Sequence, residues 1–279
     1  MNDFRVAHLA TETSWRGGEN QVYLLVNGLE KYGVKNFLIT PEKSSISAKL
    51  SHLPQKHMLS KNGVNPLDLI TTIAFVIKNK IQIIDAHSSH GHNLALLLKL
   101  FLPYLKIIIH RRVDFIPKKN VFNQLKYKNP LITAYVCISD AIRQVLLMET
   151  KLDAQKLLTV KSAVDAQLFQ GFDRKTLNKE WKNKHGLSAG TLIIGNSSAL
   201  TEQKGHHFFF DALSLLKNQT SSFHVFLAGE GPLLHELKTY AQKKGLTEYI
   251  TFLGFVKNIP EFLSCLDIFA LPSQNEGLG

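Results

Sequence analysis

Short apolar runs alternate with stretches of helical period through the first half of the chain. Residues 5–10 read as a strand. Residues 20–32 place Val22, Leu25, Val26 and Leu29 on one helical face, and 36–40 return to a strand that Pro41 ends. The alternation continues with a helix over 67–78, a strand over 81–87, a helix over 93–102 and a strand over 106–110. A further strand covers 134–138, and Ser139-Asp140 is an N-cap for a helix over 141–148. Apolar strands separated by amphipathic helices predict a parallel sheet covered on both faces. Residues 158–165 read as a short strand and turn. The polar, lysine-rich stretch 173–184 is placed at a domain boundary, which gives an N-terminal domain over 1–170 and a C-terminal domain over 171–279. The second α/β alternation starts at Thr191. A buried strand at 192–194 leads through a polar loop to a helix over 207–216, and another strand lies at 250–253.

The composition is globular: 44% of the 279 residues are hydrophobic and 20% charged, enough for two ordinary domains with their own cores. Cys137 and Cys265 lie far apart in apolar surroundings and read as buried free thiols of a reducing, cytoplasmic compartment. The opening residues read straight into a strand rather than into a secretory signal. The longest apolar region, 94–109, is broken by Lys99, Pro103 and Lys106 and is too short to cross a bilayer. The formal net charge of +11 favours an anionic partner. Eight basic residues between Lys99 and Lys128 face one acid, Asp114, which reads either as a solvated surface or as a face for anionic lipid. Nucleic acid is the weaker partner, since no reading platform or nucleic-acid motif accompanies the charge.

The chemistry-bearing positions lie where strands end. Lys204-Gly205 stands between a strand and a helix start, where unpaired N–H groups, the helix dipole and a lysine together suit a phosphate. Gly17-Gly18 after the first strand reads as a tight turn or as a place where ligand approaches backbone. His110, Arg111 and Arg112 end a strand, and the arginines read as a phosphate clamp or as a salt-bridge cluster with Asp114. The tract 87–92 carries three histidines without a carboxylate or cysteine at ligand spacing. It therefore reads as a polar site loop in which His90 or His92 meets an acceptor, and no metal is expected.

Four stretches in order carry a family resemblance: Ser198-Ala199-Leu200-Thr201-Glu202-Gln203-Lys204-Gly205-His206, then 225–232 (V-F-L-A-G-E-G-P), then 252–256 (F-L-G-F-V), then Leu271-Pro272-Ser273 with Glu276-Gly277. Together they resemble the C-terminal domain of retaining glycosyltransferases of family 4, and the likeness extends more weakly over the N-terminal half. The resemblance implies a GT-B-like α/β fold of two Rossmann-like domains facing a cleft. It implies metal-independent transfer of a sugar from a nucleotide-sugar, a substrate rather than a cofactor, to an acceptor hydroxyl with retention. A cell-envelope acceptor follows by analogy: lipopolysaccharide core or another glycolipid or saccharide, reached from the cytoplasmic side of a membrane. Lys204 would hold the donor phosphates and stabilise the leaving diphosphate, and Glu276 would orient the sugar. Gly17, Gly18, Gly205 and Gly277 would meet the donor, and Gly254, Phe255 and Val256 would line the base. His110 would lie near the transferred sugar.

The sequence departs from the family pattern in three places. The acid of the glycine turn, Glu19, comes one residue early. Ala199 stands where many relatives have a phosphate-binding arginine. The second acid of the family's E-x7-E motif and the closing helices would fall past Gly279. The expectation is therefore an incomplete second domain and a weak transferase, the alternative being an inactive fragment or a sugar-nucleotide-binding module.

Overall fold

The computed structural model describes residues 4–60, 65–112, 126–150 and 152–274. The chain forms two compact units, residues 1–164 and 165–277. Each is built on its own parallel sheet.

In the first unit seven parallel strands lie in the order β3-β2-β1-β4-β5-β6-β7. They are β1 Arg5–Leu9, β2 Lys35–Pro41, β3 Lys56–Leu59, β4 Ile83–Ala86, β5 Lys106–Arg111, β6 Ala134–Cys137 and β7 Leu157–Thr159. The crossover helices are α1 Gly17–Lys31, the short α2 Ser45–Lys49, α3 Pro66–Lys78, α4 Ser89–Phe101 and α5 Asp140–Thr150. Short capping residues fix where helices start. Asn65 accepts from the Asp68 N–H at 2.7 Å to open α3, and Ser88 accepts from Gly91 N–H at 3.1 Å to open α4. One sheet face packs Ala7, Leu9, Ile39, Ile84, Ile107 and Ile109 against α3, α4 and α5. On the other face α1 and α2 cover Ala10 and Leu38 through Val22, Val26 and Ile46.

The second unit has four parallel strands in the order β10-β9-β8-β11: β8 Leu192–Ser197, β9 Phe223–Ala228, β10 Ile250–Gly254 and β11 Ile268–Phe269. Its helices are α6 Arg174–Lys184, α7 His206–Lys217, α8 Leu234–Lys243 and α9 Ile259–Ser264. The lysine-rich stretch expected at the boundary is α6. Asp173 caps it, its Trp181 packs on Phe226 and Phe262, and its Asn178 donates to the Cys265 carbonyl at 2.8 Å. It reads as linker in sequence because only one side of it is apolar. The units divide at 164/165 rather than near 170, so all of 165–190 belongs to the second sheet's unit. The sequence reading also lacked α2 and β3.

Candidate active site

In the second unit the loop after β8 rises to a single left-handed residue, Gly205, with φ 66°, which is also the N-cap of α7. The first-turn N–H groups of His206, His207 and Phe208 present the positive end of the helix dipole without a side-chain cap. Lys204 ends the 3-10 turn Glu202–Lys204 immediately before. Gly205 is required twice over: by its φ, and because an added Cβ would collide with the Pro272 carbonyl oxygen. The loop after β11 is thereby seated against the helix start, with Gln274 N–H donating to the Gln203 carbonyl at 2.9 Å. Two buried polar atoms beside this junction, His206 Nδ1 and Ser273 Oγ, have no hydrogen-bond partner among the described residues. Burial holds the His206 imidazole down to about 4, so it is neutral at ordinary pH.

The neighbouring loop explains the other glycines. Leu200 N–H donates to the Glu230 carbonyl at 3.0 Å and Leu233 N–H to the Leu200 carbonyl at 3.2 Å. A Cβ on Gly229 or Gly231 would collide with the carbonyls of Ser198 or Leu200. Gly229 N–H in turn donates to the Gly254 carbonyl at 2.7 Å, which joins the turn after β10 to the same assembly. Gly254 has φ 68°, Phe255 is exposed, and Val256 packs on the cluster around Phe226 and Phe262. Glu276 and Gly277 lie outside the described residues.

The first unit carries a buried polar network that the sequence reading missed. His8 and Asp85 are register partners on β1 and β4, and His87 lies two residues beyond Asp85 on the same side. Ile108 pairs with Asp85, so His110 and then Arg112 follow on that side too. Asp85 Oδ2 lies 3.2 Å from both His8 Nδ1 and His87 Nε2, and its Oδ1 lies 2.9 Å from His110 Nε2. Burial acts to raise the Asp85 carboxyl. The imidazoles of His87 and then His110 beside it outweigh burial and hold the carboxyl well below the usual carboxylate range.

The proton positions in this network follow from its edges. Arg112 Nη2 donates to His87 Nδ1 at 2.9 Å, so the proton of His87 sits on Nε2, which faces His8 Nδ1 and Asp85 Oδ2, each at 3.2 Å. Burial, chiefly, keeps the His87 pKa well below its ordinary value, so it is neutral. Asn36 Nδ2 donates to the Val26 and Val34 carbonyls, which leaves its Oδ1 to accept from His8 Nε2 at 3.0 Å. His110 Nε2 lies 2.9 Å from Asp85 Oδ1, so a proton on Nε2 faces the carboxylate and one on Nδ1 does not. His8, Asp85 and His87 converge closely enough to suggest a cation cage. The Arg112 contact argues otherwise: it puts a proton on the His87 nitrogen that would have to ligate, and a positive charge behind it. The exposed trio Glu202, His207 and Glu236 contains a His207–Glu236 pair at 3.0 Å.

Several site expectations are corrected. A carboxylate does stand at ligand spacing from the histidine tract: Asp85, two residues before His87. Arg112 points into the network, donating to His87 Nδ1, and Asp114 lies outside the described residues. Arg111 donates to the Tyr127 hydroxyl at 2.9 Å and stacks on that ring. His92 is buried between Tyr127 and Tyr135, with its pKa brought to about 3 by burial and then by Lys126. His90, by contrast, is exposed on the first turn of α4. Gly17 and Gly18 open α1 with no neighbouring atom where a Cβ would stand. Glu19, buried and with its carboxyl raised by that burial, accepts from Arg16 N–H at 3.1 Å and so caps the helix. His110 and Arg112 border a pocket of about 310 Å³ whose apolar wall includes Leu25, Leu29, Val136 and Val160.

Two parallel Rossmann-like sheets in one chain, each with glycine-bearing or histidine-bearing turns after its strands, define the two-domain GT-B architecture. HepE of Anabaena, solved in complex with UDP, superposes with a TM-score of 0.81 at 16% identity, covering 97% of this chain and 74% of that one. Residues 178–279 match the family model for glycosyl transferases group 1. EpsF of Bacillus subtilis, which carries a glycosyltransferase name, is 24% identical over 98% of this chain and 74% of its own length. The UDP-Gal:alpha-D-GlcNAc-diphosphoundecaprenol alpha-1,3-galactosyltransferase of Escherichia coli is 27% identical over 52% of this chain and 38% of its own.

Proposed function

We propose that the chain is a glycosyltransferase that moves a sugar from a nucleoside-diphosphate donor to the hydroxyl of a saccharide or glycolipid acceptor, with retention and without a metal. The observation that carries this reading is the uncapped start of α7, where Lys204, left-handed Gly205 and the unpartnered Ser273 Oγ and His206 Nδ1 meet. N–H groups, a lysine and a helix dipole aimed at one point suit the diphosphate that leaves as the anomeric C–O bond breaks. The departing oxygen takes the bonding pair, and the acceptor oxygen forms the new bond on the same face of the sugar as its proton passes to the departing diphosphate. UDP bound in HepE and UDP-Gal in the name of the Escherichia coli relative favour a uridine donor. The lipid-linked diphosphate in that name and the wider set of lipopolysaccharide relatives favour an envelope acceptor. In this reading Gly254, Phe255 and Val256 border the base, and Glu276 contacts the sugar hydroxyls.

Calorimetric titration with UDP and with UMP tests the donor site. UDP should bind more tightly than UMP, and Lys204→Ala should cost UDP about 1.5–3 kcal/mol, roughly tenfold to a hundredfold, with little effect on UMP. Equal UDP affinity in the two chains would remove Lys204 from the site.

A further inference from the structure

The outward side of α3 is apolar. Ile70 and Ile77, seven residues apart on one stripe, are each more than half exposed, as is Leu67 at the helix start. A solvent-facing helix side ordinarily carries charge, so this stripe lacks a cover. The neighbouring helix continues it. α3 and α4 both run from the C-terminal edge of one parallel strand to the N-terminal edge of the next, and they pack against each other. Their C-terminal ends therefore share one edge of the first unit. There α4 and the turn after it expose Leu100, Phe101 and Tyr104, each again by more than half. Lys99 fixes that turn by donating through Nζ to the Pro103 and Leu105 carbonyls.

The charge around the same edge has one sign. Lys78 ends α3, Lys80 follows it in the left-handed region at φ 51°, and Lys106 opens β5; all three are exposed. From residue 66 to 112 the carboxylates are Asp68 and Asp85, and both are buried. Within residues 66–112, therefore, no exposed acid offsets the lysines. Of the basic residues of segment 99–128, Arg112 is turned into the polar network and Lys126 donates to the Ser89 carbonyl and hydroxyl.

We infer that this edge of the first unit, Ile70, Ile77, Leu100, Phe101 and Tyr104 with Lys78, Lys80 and Lys106, docks on an anionic lipid bilayer. Apolar side chains backed by lysines match the acyl–headgroup boundary, where each supplies what the other lacks. The apolar area is fixed on rigid helices, so no folding is needed on contact. No described helix is long and apolar enough to cross the membrane, and the attachment is to its surface. The inference does not depend on the donor site of the second unit.

Sedimentation of the full 279-residue chain with phosphatidylcholine vesicles, with and without phosphatidylglycerol, tests it. Binding should require phosphatidylglycerol and fade at high salt. Ile77→Glu and Phe101→Glu, both at exposed positions that leave the core intact, should each weaken binding about tenfold. Lys78→Glu with Lys106→Glu should do so by a similar factor. Equal pelleting with neutral and anionic vesicles at low salt would overturn the proposal, as would unchanged binding by the glutamate variants. A chain that self-associates in light scattering and is made monomeric by Ile77→Glu would also overturn it, since the stripe would then be an interface between copies. UDP titration of the same variants keeps this outcome separate from that of the donor site.

Discussion

Asp85→Asn probes the polar network with the least change in volume. The native carboxylate is buried, with His8, His87 and His110 nitrogens at 2.9–3.2 Å around its two oxygens. The amide supplies one oxygen and one NH2, so at least one histidine N–H must face another donor. A hydrogen bond to a charged acceptor contributes about 1.5–3 kcal/mol. The buried Arg112 guanidinium also loses a nearby counter-charge, and breaking a buried pair by removing one partner costs about 3–5 kcal/mol. These two effects overlap, and we expect the first unit to lose about 2–4 kcal/mol. Amide hydrogen exchange reads the loss locally: Ala7, Leu9 and Ile84 should exchange faster in the variant, while Ile194 and Val225 of the second unit should not change. The pH dependence has a defined sign. A carboxyl held below its unfolded value stabilises above pH about 3.9, and that contribution fades as pH falls through the folded value. The gap between native chain and variant should therefore narrow only below pH about 4. Long-range nitrogen NMR should find His110 protonated on Nε2 in the native chain and redistributed towards Nδ1 in Asp85→Asn. Unchanged exchange at β1 and β4, or a native His110 protonated on Nδ1, would refute the assignment of donors and acceptors given above.

Gly205→Ala should weaken UDP binding and lower the unfolding midpoint of the second unit, followed by Trp181 fluorescence. The left-handed backbone alone costs about 1–2 kcal/mol, and the Pro272 carbonyl must also move. Undiminished UDP affinity would detach the 271–274 loop from the donor site. His92 and His206, held at about 3 and about 4 against an ordinary 6.5, stay neutral in the fold while the unfolded chain takes up protons. Their stabilisation is complete above pH 6.5 and lost as pH falls towards those values, at up to about 1.4 kcal/mol per pH unit for each. Urea unfolding at about pH 7.5 and about pH 5 should show a loss that His92→Leu reduces in the first unit only.

The α/β alternation was legible because each buried strand is a short apolar run and each helix keeps a 3.6-residue apolar face. α6 was not, because its sequence is mostly lysine, asparagine and glutamate, and Trp181 alone marks its packed side. β3 was hidden for a related reason: Lys56 and His57 sit on an edge strand with little apolar content. The phosphate turn was legible since its residues are contiguous: Lys204, Gly205 and the helix start lie within one short stretch. The histidine network was not. Its members come from three strands and the residues just past them, and only the register His8–Asp85–Ile108 brings them together. One signal was available in the sequence. Asp85 and His87 alternate on a strand otherwise built of isoleucine and alanine, and a carboxylate at an inward strand position requires partners.

The two units prepare their sites by opposite means, and this decides which substitutions matter in each. In the second unit, backbone meets backbone: Gly205 against Pro272, Gly229 against Ser198, Gly231 against Leu200. A side chain there would part loops whose contact places the N–H groups, so the harmful change is the addition of an atom. In the first unit, side chains meet across strands, and Arg112, His87, Asp85 and His110 fix one another's protons. There the harmful change is the removal of a donor or a charge, because the partner left behind is buried. Conservative exchanges accordingly carry different consequences. Glycine to alanine is small in volume and large in effect at 205, 229 and 231, yet the open surroundings of Gly17 and Gly18 leave room for it. Aspartate to asparagine is nearly isosteric and still disruptive at 85, yet at Asp173, an exposed N-cap of α6, asparagine fills the same role.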